Sequence, residues 1–544
     1  MTDTELTSTA PSDTELESLE STVDGFSLRQ LLAPLILAIF WAIAVFVIQE
    51  LTSGANYPMP LHRALGCRVV RLSLDILACG TITFLVVGWP RYVAILSWAT
   101  ATSAILIYSD YYGRALSWTT ITNQFIEGLA MGPYVVELIR WQSFTLVLMA
   151  TSVLLLLAAR ANRRMLAIRL RGKIFTAFLA CWILVAIAST QLIDRVAKLK
   201  TFGSVDRLTM THGYALTWLA EWWYLDGTSL LLRAKEASLT KQDRLTPLEF
   251  PVPLGDNLAI VQIESLDYDV VHYRVDGELV MPFLADLTTR SMSYRISAIH
   301  ESGSCDADFV MLMNLYPAGD APPYSVPGFD WHPSLAVRVQ ASGFESTYIH
   351  GNDSSFFNRG VGVGKMGFHQ TLFREQLEAQ YNRVSKHWGI SDQDVFDTSR
   401  ELFLASSNRA MHFIITLTSH SPFHYLAPKD RELFPAPTSL REQYLNSMRY
   451  VDTQLRNYIQ ALPDDLVVVL YGDHASRVDY GQHAREAKNE SVPFLIHKIG
   501  HNLARLQKTR DIDIAMSGEL TTLDAAGYVW SLFPEPEVKG ATGM

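Results

Sequence analysis

The sequence contains few cysteines and no excess of basic residues. Its 544 residues include four cysteines, and three of them, Cys67, Cys79 and Cys181, fall in or beside apolar stretches. The remaining thiol, Cys305, cannot form an internal disulfide alone, so a disulfide-stabilised exported domain is excluded. Acidic residues (55) outnumber lysines and arginines (45), so the charge supports no nucleic-acid partner.

Basic residues are also missing from the first 25 residues, which carry seven acidic side chains and many threonines and serines. Residues 1–28 have too few apolar side chains to bury, and we expect an acidic disordered tail. Because these seven charges belong to a total net charge of -10, the rest of the chain is only mildly acidic.

Apolar stretches of about 20 residues, the length that crosses a bilayer, follow the tail. Acidic residues precede the first apolar stretch, and four more apolar stretches follow it, so a signal peptide is excluded. Residues 29–193 are therefore predicted to form a five-helix transmembrane domain. The stretches are Leu31–Gln49, Val69–Gly88, Tyr92–Tyr108, Ser143–Ala159 and Ile174–Ile193. Asp75 is the one acid well inside a stretch, and it lies four residues after Arg71, the spacing of a helical pair.

Clustered cations predict the orientation of these helices. Six of them, with no acid, lie between the fourth and fifth stretches: Arg160, Arg163, Arg164, Arg169, Arg171 and Lys173. Cytoplasmic loops carry such an excess, so the chain beyond about Asp194 is expected on the outer side of the membrane.

Residues 194–253 are predicted to be a juxtamembrane linker. The aromatic residues of this linker fit either the interfacial belt of a bilayer or an ordinary helix that buries them against the soluble domain: Trp218, Trp222, Trp223 and Tyr224. The proline-bearing segment Thr246–Pro253 is typical of a semi-rigid connection.

Residues 254–544 are long enough for one large α/β domain. Buried-strand patterns recur and alternate with helical patterns such as Leu440–Leu462, which predicts a mostly parallel sheet covered by helices. The predicted strands are Leu258–Ile263, Ser346–Ile349, His412–Leu417 and Leu466–Tyr471.

Polar side chains follow these strands. Glu264 comes after the first strand, and Asp473 and His474 follow the last one. Sites in open α/β sheets lie beyond the carboxyl ends of the strands, so these residues could share one divalent cation. The pattern equally allows Asp473 and His474 to cap the next segment. A Gly-containing stretch, His300–Phe309, holds three possible nucleophiles, Ser302, Ser304 and Cys305.

The order of these groups resembles the lipoteichoic acid synthase group, membrane-anchored members of the alkaline phosphatase and sulfatase superfamily. The resemblance covers the whole domain and reaches the membrane part at Tyr108–Arg114. The blocks that carry it are Glu264-Ser265, Gly303–Phe309, His350-Gly351, Phe357-Asn358-Arg359, Trp388–Asp392, His420–Phe423 and Gly472-Asp473-His474.

The resemblance implies roles for individual residues. Ser304 matches the threonine nucleophile of that family, and the Cys-x-Pro-x-Arg pattern that would convert Cys305 into a formylglycine is absent. The metal ligands implied are Glu264, Ser304, Asp473 and His474, around one divalent ion that is usually manganese, with magnesium and zinc as alternatives. The phosphoglycerol-binding positions implied are His350, Phe357, Arg359 and His420. Phe357 stands where an indole is common in the family, so a possible N–H donor is lost.

These residues lead to a functional hypothesis. The resemblance implies a multi-pass protein of the bacterial cytoplasmic membrane whose extracytoplasmic domain transfers phosphoglycerol from phosphatidylglycerol to a glycan or polymer hydroxyl through a covalent Ser304 intermediate. Phosphoethanolamine transfer, hydrolysis by a sulfatase or phosphodiesterase, and an inactive lipid-headgroup sensor are the alternatives. The missing disulfides disfavour the first alternative, and the missing formylglycine pattern disfavours hydrolysis.

Overall fold

A computed structural model describes most of the chain as two compact units, one helical and one α/β. The described residues are 28–53, 61–112, 115–123, 139, 141–163, 168–188, 204–224, 231–232, 234–235, 237, 255, 257–317, 319, 321–386, 388–464, 466–476, 478–480, 490–504 and 520–533. The predicted tail up to residue 27 and the predicted connection at 246–253 lie outside them.

The chain up to residue 224 is helical wherever it has regular described structure. Its helices are α1 (Leu28–Ser53), α2 (Leu61–Leu85), α3 (Trp89–Tyr112), α4 (Trp118–Asn123), α5 (Trp141–Arg163), α6 (Ile168–Ala188), α7 (Ser204–His212) and α8 (Tyr214–Tyr224). Among the described helices, four are long and apolar enough to cross a membrane: Gln30–Glu50, Trp89–Ser109, Trp141–Arg163 and Arg169–Ala188.

The predicted span Val69–Gly88 coincides largely with α2, which is not among these four. Charged side chains such as Arg71 and Asp75 lower its hydropathy, so the five-span count stays a prediction. Arg71 is buried and forms an ion pair with Glu50 of α1, and it also donates to the Met210 carbonyl at 3.2 Å. This ion pair joins two helices, and the four-residue spacing between Arg71 and Asp75 did not predict it.

The aromatic residues of α8 differ in their surroundings. The Trp218 indole donates to the Leu116 carbonyl at 2.8 Å, so this ring is fixed inside the helical unit. Trp222 and Trp223 are 61% and 81% exposed, as an interfacial belt would require. The position of these rings relative to a bilayer stays a prediction.

The α/β unit is built on an eight-stranded sheet whose order is β10-β4-β9-β8-β1-β7-β5-β6. The strands are β1 (Asn257–Ile263), β4 (Met292–Ser297), β5 (Glu345–His350), β6 (Gln370–Leu372), β7 (Ala410–Ile415), β8 (Val467–Gly472), β9 (Ser491–Lys498) and β10 (Leu520–Thr521). Two further strands, β2 (Arg274–Val275) and β3 (Glu278–Leu279), form a separate hairpin. Strands β8, β1, β7, β5 and β6 run parallel to one another, which confirms the predicted mostly parallel sheet. Strand β9 is antiparallel to both of its neighbours, β8 and β4.

Helices cover both faces of the sheet. They are α9 (Pro282–Thr288), α10 (Cys305–Met313), α11 (Leu335–Ala341), α12 (Arg359–Val363), α13 (Arg374–Tyr381), α14 (Asp392–Ala405), α15 (Leu440–Gln460) and α16 (Thr522–Ser531). Successive residues of β1 point to opposite faces, so Ile260 joins one core with Phe309 of α10, while Val261 joins the other with Leu455 of α15. The predicted helix Leu440–Leu462 is α15, which begins at the Ser439 cap.

Candidate active site

The site lies at the carboxyl edge of the central strands, because their registers align the strand ends. Ile263 of β1 is paired with Gly472 of β8, and Gln262 is paired with Ile415 of β7. The same Ile415 is paired with His350 of β5. The residues that follow these strands therefore emerge side by side, as the sequence predicts.

Glu264, Asp473 and His474 form a compact group of acceptors. All three are buried, and their ligand atoms lie within 4.8 Å of one another. His474 Nε2 lies 3.2 Å from Glu264 Oε1 and 3.6 Å from Asp473 Oδ2. The three residues are thus arranged around a common point, as expected if they share an ion.

The electrostatics of this group fit a divalent cation. Burial and the nearby charge of Glu264 raise the pKa of Asp473 well above its ordinary value. Burial opposes ionisation of Glu264, but His474 and the charge of His420 lower its pKa below the ordinary value. Asp473 Oδ2 is buried without a hydrogen bond among the described residues, so an acceptor remains for an ion. Two carboxylates and one imidazole suit Mn²⁺, Mg²⁺ or Zn²⁺.

The Nδ1 nitrogen of His474 fixes the orientation of this imidazole ring. Its Nδ1 lies 2.9 Å from the Ala475 carbonyl oxygen, which can only accept, so Nδ1 carries a proton. With an ion bound, the neutral ring would present the Nε2 lone pair to it, whereas without one Nε2 can donate to Glu264 Oε1. The ring also stacks on His300, with centroids 4.2 Å apart and planes 13° apart. This stacking brings the segment that leads to Ser304 against a predicted metal ligand.

Ser304 lies at the start of helix α10, directly after Gly303. Gln262 near the end of β1 donates from Nε2 to the Ser304 carbonyl at 3.4 Å. Arg359 Nη2 donates to the Ser304 hydroxyl oxygen, also at 3.4 Å. The hydroxyl makes no capping hydrogen bond to the helix, so it is left available for chemistry. Its place among the metal ligands stays a prediction.

Arg359 is fully buried and is held by Asp308 of α10. Its Nε donates to Asp308 Oδ2 at 3.1 Å, and the hydroxyls of Tyr324 and Tyr348 donate to the same oxygen at 2.9 and 3.1 Å. Burial lowers the pKa of Arg359, but the Asp308 charge outweighs burial, so the net pKa is raised and the guanidinium stays charged. Burial likewise raises the pKa of Asp308, while Arg359 and the two phenols stabilise its ionised form. We therefore treat the two as an ion pair.

His350 accepts from this guanidinium. Its Nε2 lies 3.5 Å from Arg359 Nη1, and because a guanidinium can only donate, the ring presents a lone pair there. Burial and the positive charge of Arg359 lower the pKa of His350 well below its ordinary value, so the ring is neutral. The predicted pair of His350 and Arg359 is therefore brought together.

Phe357 and His420 occupy two sides of the same region. The guanidinium carbon of Arg359 lies 5.3 Å from the centroid of the Phe357 ring, within reach of a cation–π contact. His420 is half-buried and its Nδ1 lies 2.7 Å from the Ser421 carbonyl oxygen, so Nε2 is the nitrogen left for a substrate. Trp388 links the two sides, because its ring lies 4.9 Å from His420 and 5.8 Å from Phe356, the neighbour of Phe357.

Cys305 is unsuited to nucleophilic attack. It is fully buried, and burial together with the Asp306 charge raises the pKa of its thiol well above the ordinary value. A thiol rather than a thiolate is therefore present at neutral pH. This supports the preference for Ser304.

Sequence reasoning missed the residues that orient this machinery. Asp308 and Ser265 lie within motifs that carry the family resemblance, but the resemblance implies no role for them, and Asp267 lies outside those motifs. The available signal for Asp308 is a pair of acids, Asp306 and Asp308, in the first turn of a helix whose other side chains are apolar. Asp267 offered none, because a buried acid is not distinguishable from a surface one in a single sequence.

Comparison with known proteins agrees with this architecture. Residues 256–517 match the family model described as Sulfatase. The α/β unit is a sulfatase-family domain. Over 407 residues the chain is 25% identical to the lipoteichoic acid synthase of Staphylococcus saprophyticus. The aligned region covers 68% of this chain and 60% of that protein. It is also 25% identical over 304 residues to lipoteichoic acid synthase 2 of Bacillus subtilis, covering 51% of this chain and 46% of the relative.

The chain thus spans between about half and three fifths of the length of these relatives. Among solved structures, the integral membrane protein lipooligosaccharide phosphoethanolamine transferase A from Neisseria meningitidis is similar with a TM-score of 0.52 and 13% identity, over 91% of this chain and 94% of that one. This likeness concerns the fold alone: a helical part followed by an α/β domain.

Proposed function

We propose that this protein is a membrane-bound transferase that moves the phosphoglycerol headgroup of phosphatidylglycerol to a hydroxyl of an extracytoplasmic glycan or polymer. The observation that carries the proposal is the grouping of a serine hydroxyl, a buried arginine and an acidic metal-ligand cluster at one sheet edge. The similarity to proteins named lipoteichoic acid synthase supports the headgroup and the class of acceptor.

Glu264, Asp473 and His474, with the Ser304 hydroxyl, are the residues that would hold one divalent cation, for which we propose Mn²⁺. When bound, the ion would lower the pKa of the serine hydroxyl and offset charge that develops on the phosphate oxygens. The raised pKa of Asp473 is consistent with this role, because a cation would remove the repulsion between the two carboxyl groups.

The chemistry proceeds in two displacements. The Ser304 oxygen attacks phosphorus, the bond from phosphorus to the diacylglycerol oxygen breaks, and diacylglycerol leaves with one proton. The acceptor hydroxyl then attacks the resulting phosphoserine ester, loses its proton, and regenerates the serine hydroxyl. Arg359 would hold the phosphate chiefly through Nη1, since Asp308 accepts from both Nε and Nη2. His420 Nε2 is the group placed to carry a proton to or from an alcohol oxygen.

The membrane helices suit a lipid donor, because a site anchored to the bilayer can reach a headgroup at its surface. We propose a multi-pass location in the bacterial cytoplasmic membrane, with the sulfatase-family domain on the outer side. The four apolar helices support the membrane part of this proposal.

The proposal is tested by headgroup transfer in membranes that contain the full chain. Phosphatidylglycerol labelled in its terminal glycerol is the donor, and Ser304→Ala is compared with Cys305→Ala, its buried neighbour. We expect Ser304→Ala to reduce transfer by at least about 10³-fold, as removal of a nucleophile does, and Cys305→Ala to retain it.

Two results would oppose the proposal. Full transfer by Ser304→Ala would refute the covalent serine intermediate. Transfer from labelled phosphatidylethanolamine but not phosphatidylglycerol would show that the headgroup is wrong while leaving the serine chemistry intact. Equal amounts of inserted protein, measured by immunoblotting of membranes, control for expression.

A further inference from the structure

Asp267 connects the two loops that carry the metal-ligand cluster. It is buried and lies three residues after Glu264, in the loop that follows β1. Its Oδ1 accepts from the Ser476 backbone N–H at 2.7 Å, and its Oδ2 accepts from the Ser476 hydroxyl at 2.6 Å. Ser476 lies two residues after His474, so one carboxylate joins both loops.

A second set of hydrogen bonds reinforces this connection. The Ser265 N–H donates to Asp473 Oδ1 at 2.8 Å, and the Ser265 hydroxyl donates to Glu264 Oε1 at 3.1 Å. Ser265 adopts a φ of 56°, which is uncommon for a residue with a side chain, so the surrounding contacts impose this backbone.

Helix α15 contributes a further contact to this connection. The Tyr444 hydroxyl is buried 3.0 Å from Asp267 Oδ2 and 3.1 Å from the Ser265 carbonyl oxygen. Its single proton can be donated to only one of these oxygens at a time. Either arrangement fixes the loop after β1 to a helix in the core.

The loops need such support. Glu264 and Asp473 bring two carboxyl groups within 4.8 Å of each other, and both must be ionised when they hold an ion, so their charges repel where water is excluded. The pairing of β1 with β8 fixes the strand ends, and a restraint on the loops beyond them preserves the ligand spacing when the ion leaves. Rebinding then requires less reordering of the loops, which favours affinity.

We propose that Asp267 is a positioning residue that presets the spacing between Glu264 and the Asp473–His474 pair for one hard divalent cation. This inference rests on the proposed metal site. Asp267 does not touch the ion; it acts through Ser476 and Tyr444. Residues that hydrogen-bond metal ligands directly typically change metal affinity by about 10–100-fold when they are replaced, and we expect the lower end of that range for Asp267, which contacts the ligand loops and not the ligands.

The chain provides a matched control. Asp452 in helix α15 is also buried, and it accepts from the backbone N–H groups of Phe283 and Leu284 at 2.9 and 2.8 Å. These are residues of helix α9, away from the loops of the cluster in sequence. Asp452→Asn therefore removes a buried carboxylate of the same kind without removing a hydrogen bond to either ligand loop.

The test is a calorimetric titration of the full chain in detergent with MnCl₂ after chelation. Asp267→Asn should weaken Mn²⁺ binding by at least about 10-fold. Ser476→Ala removes the hydroxyl that donates to Asp267 and accepts from the Val478 N–H, but it keeps the Ser476 backbone donor. It should weaken binding by a few-fold, and this milder variant decides the matter if Asp267→Asn does not fold. Asp452→Asn should bind Mn²⁺ as the unaltered protein does, even if it unfolds at a lower temperature.

The outcomes separate this inference from the proposed function. Unaltered Mn²⁺ affinity in both Asp267→Asn and Ser476→Ala would overturn the positioning role while the metal site stands. An equal loss of affinity in Asp452→Asn would also overturn it, because the effect would then be general destabilisation. If the unaltered protein binds no Mn²⁺, the metal site fails and the inference fails with it.

Discussion

Replacing Asp308 with asparagine tests whether a buried ion pair prepares Arg359 for phosphate binding. Both side chains of this pair are fully buried, and the carboxylate accepts from Arg359 Nε and from two tyrosine hydroxyls. Asparagine keeps the size but removes the charge and places an N–H₂ group where acceptors are needed. The guanidinium is then buried without its counter-ion, which costs about 3–5 kcal/mol of unfolding free energy.

Activity should fall along with stability, because the same carboxylate orients the Arg359 atoms that face Ser304 and His350. We expect a strong rise in the KM for phosphatidylglycerol in the headgroup-transfer assay. Tyr324→Phe is the matched control. It removes one hydrogen bond to the ionised Asp308 carboxylate and keeps the ion pair, so it should cost about 1.5–3 kcal/mol, less than Asp308→Asn, and leave the KM near its original value.

A denaturant titration that unfolds the full chain in detergent measures the change in unfolding free energy. The reasoning is refuted if Asp308→Asn loses less than about 1 kcal/mol, the size of an ordinary hydrogen bond. It is also refuted if this variant transfers phosphoglycerol with an unchanged KM. In either case the pair would not be what prepares the arginine.

Two further predictions concern Gly303 and Asp452. A Cβ atom at Gly303, which has a φ of 143°, would lie 2.8 Å from Phe357 Cζ, so Gly303→Ala should cost about 1–3 kcal/mol and impair transfer. Gly343→Ala, also at positive φ but in open space, should leave transfer intact in the same assay, and equal activities would contradict the steric argument. Burial raises the pKa of Asp452 from 3.8 to about 6, so the folded state binds this proton more tightly and the stability contributed by this group falls as pH rises from about 4 to 6. Asp452→Asn should remove that dependence, worth up to about 3 kcal/mol, and thermal unfolding curves that shift in parallel with pH for both proteins would contradict it.

The central strands were predictable because they are apolar runs that are interrupted at most by Gln262 near the end of β1. Leu258–Ile263 and Leu466–Tyr471 match β1 and β8 to within one residue at each end. Strands toward the β10 edge of the sheet were missed for physical reasons. β9 contains Pro493 and β10 has only two residues, so neither produces a long uninterrupted pattern.

The site was predictable to the extent that it follows strand ends. Glu264, Asp473 and His474 meet because parallel strands in register end at one edge, a rule that needs no coordinates. The supporting residues could not be predicted in this way. Tyr444 contacts the Ser265 carbonyl across 179 residues, and no local pattern encodes such a contact.

The helical unit shows the limit of hydropathy. Helix α2 forms as expected, but Arg71 and Asp75 lie within it, and the Arg71 charge is balanced by Glu50 of another helix. Because the pairing partner is distant in sequence, the sequence alone does not establish whether such a segment crosses a bilayer.

Mass spectrometry of the peptide that contains Ser304 tests the central claim most directly. The full chain is mixed with phosphatidylglycerol and Mn²⁺ without an acceptor, and the reaction is stopped with acid. We predict a phosphoglycerol ester on Ser304 that disappears when an acceptor is added. An unmodified Ser304 peptide in protein that still releases diacylglycerol, or an ester on another residue, would contradict the account.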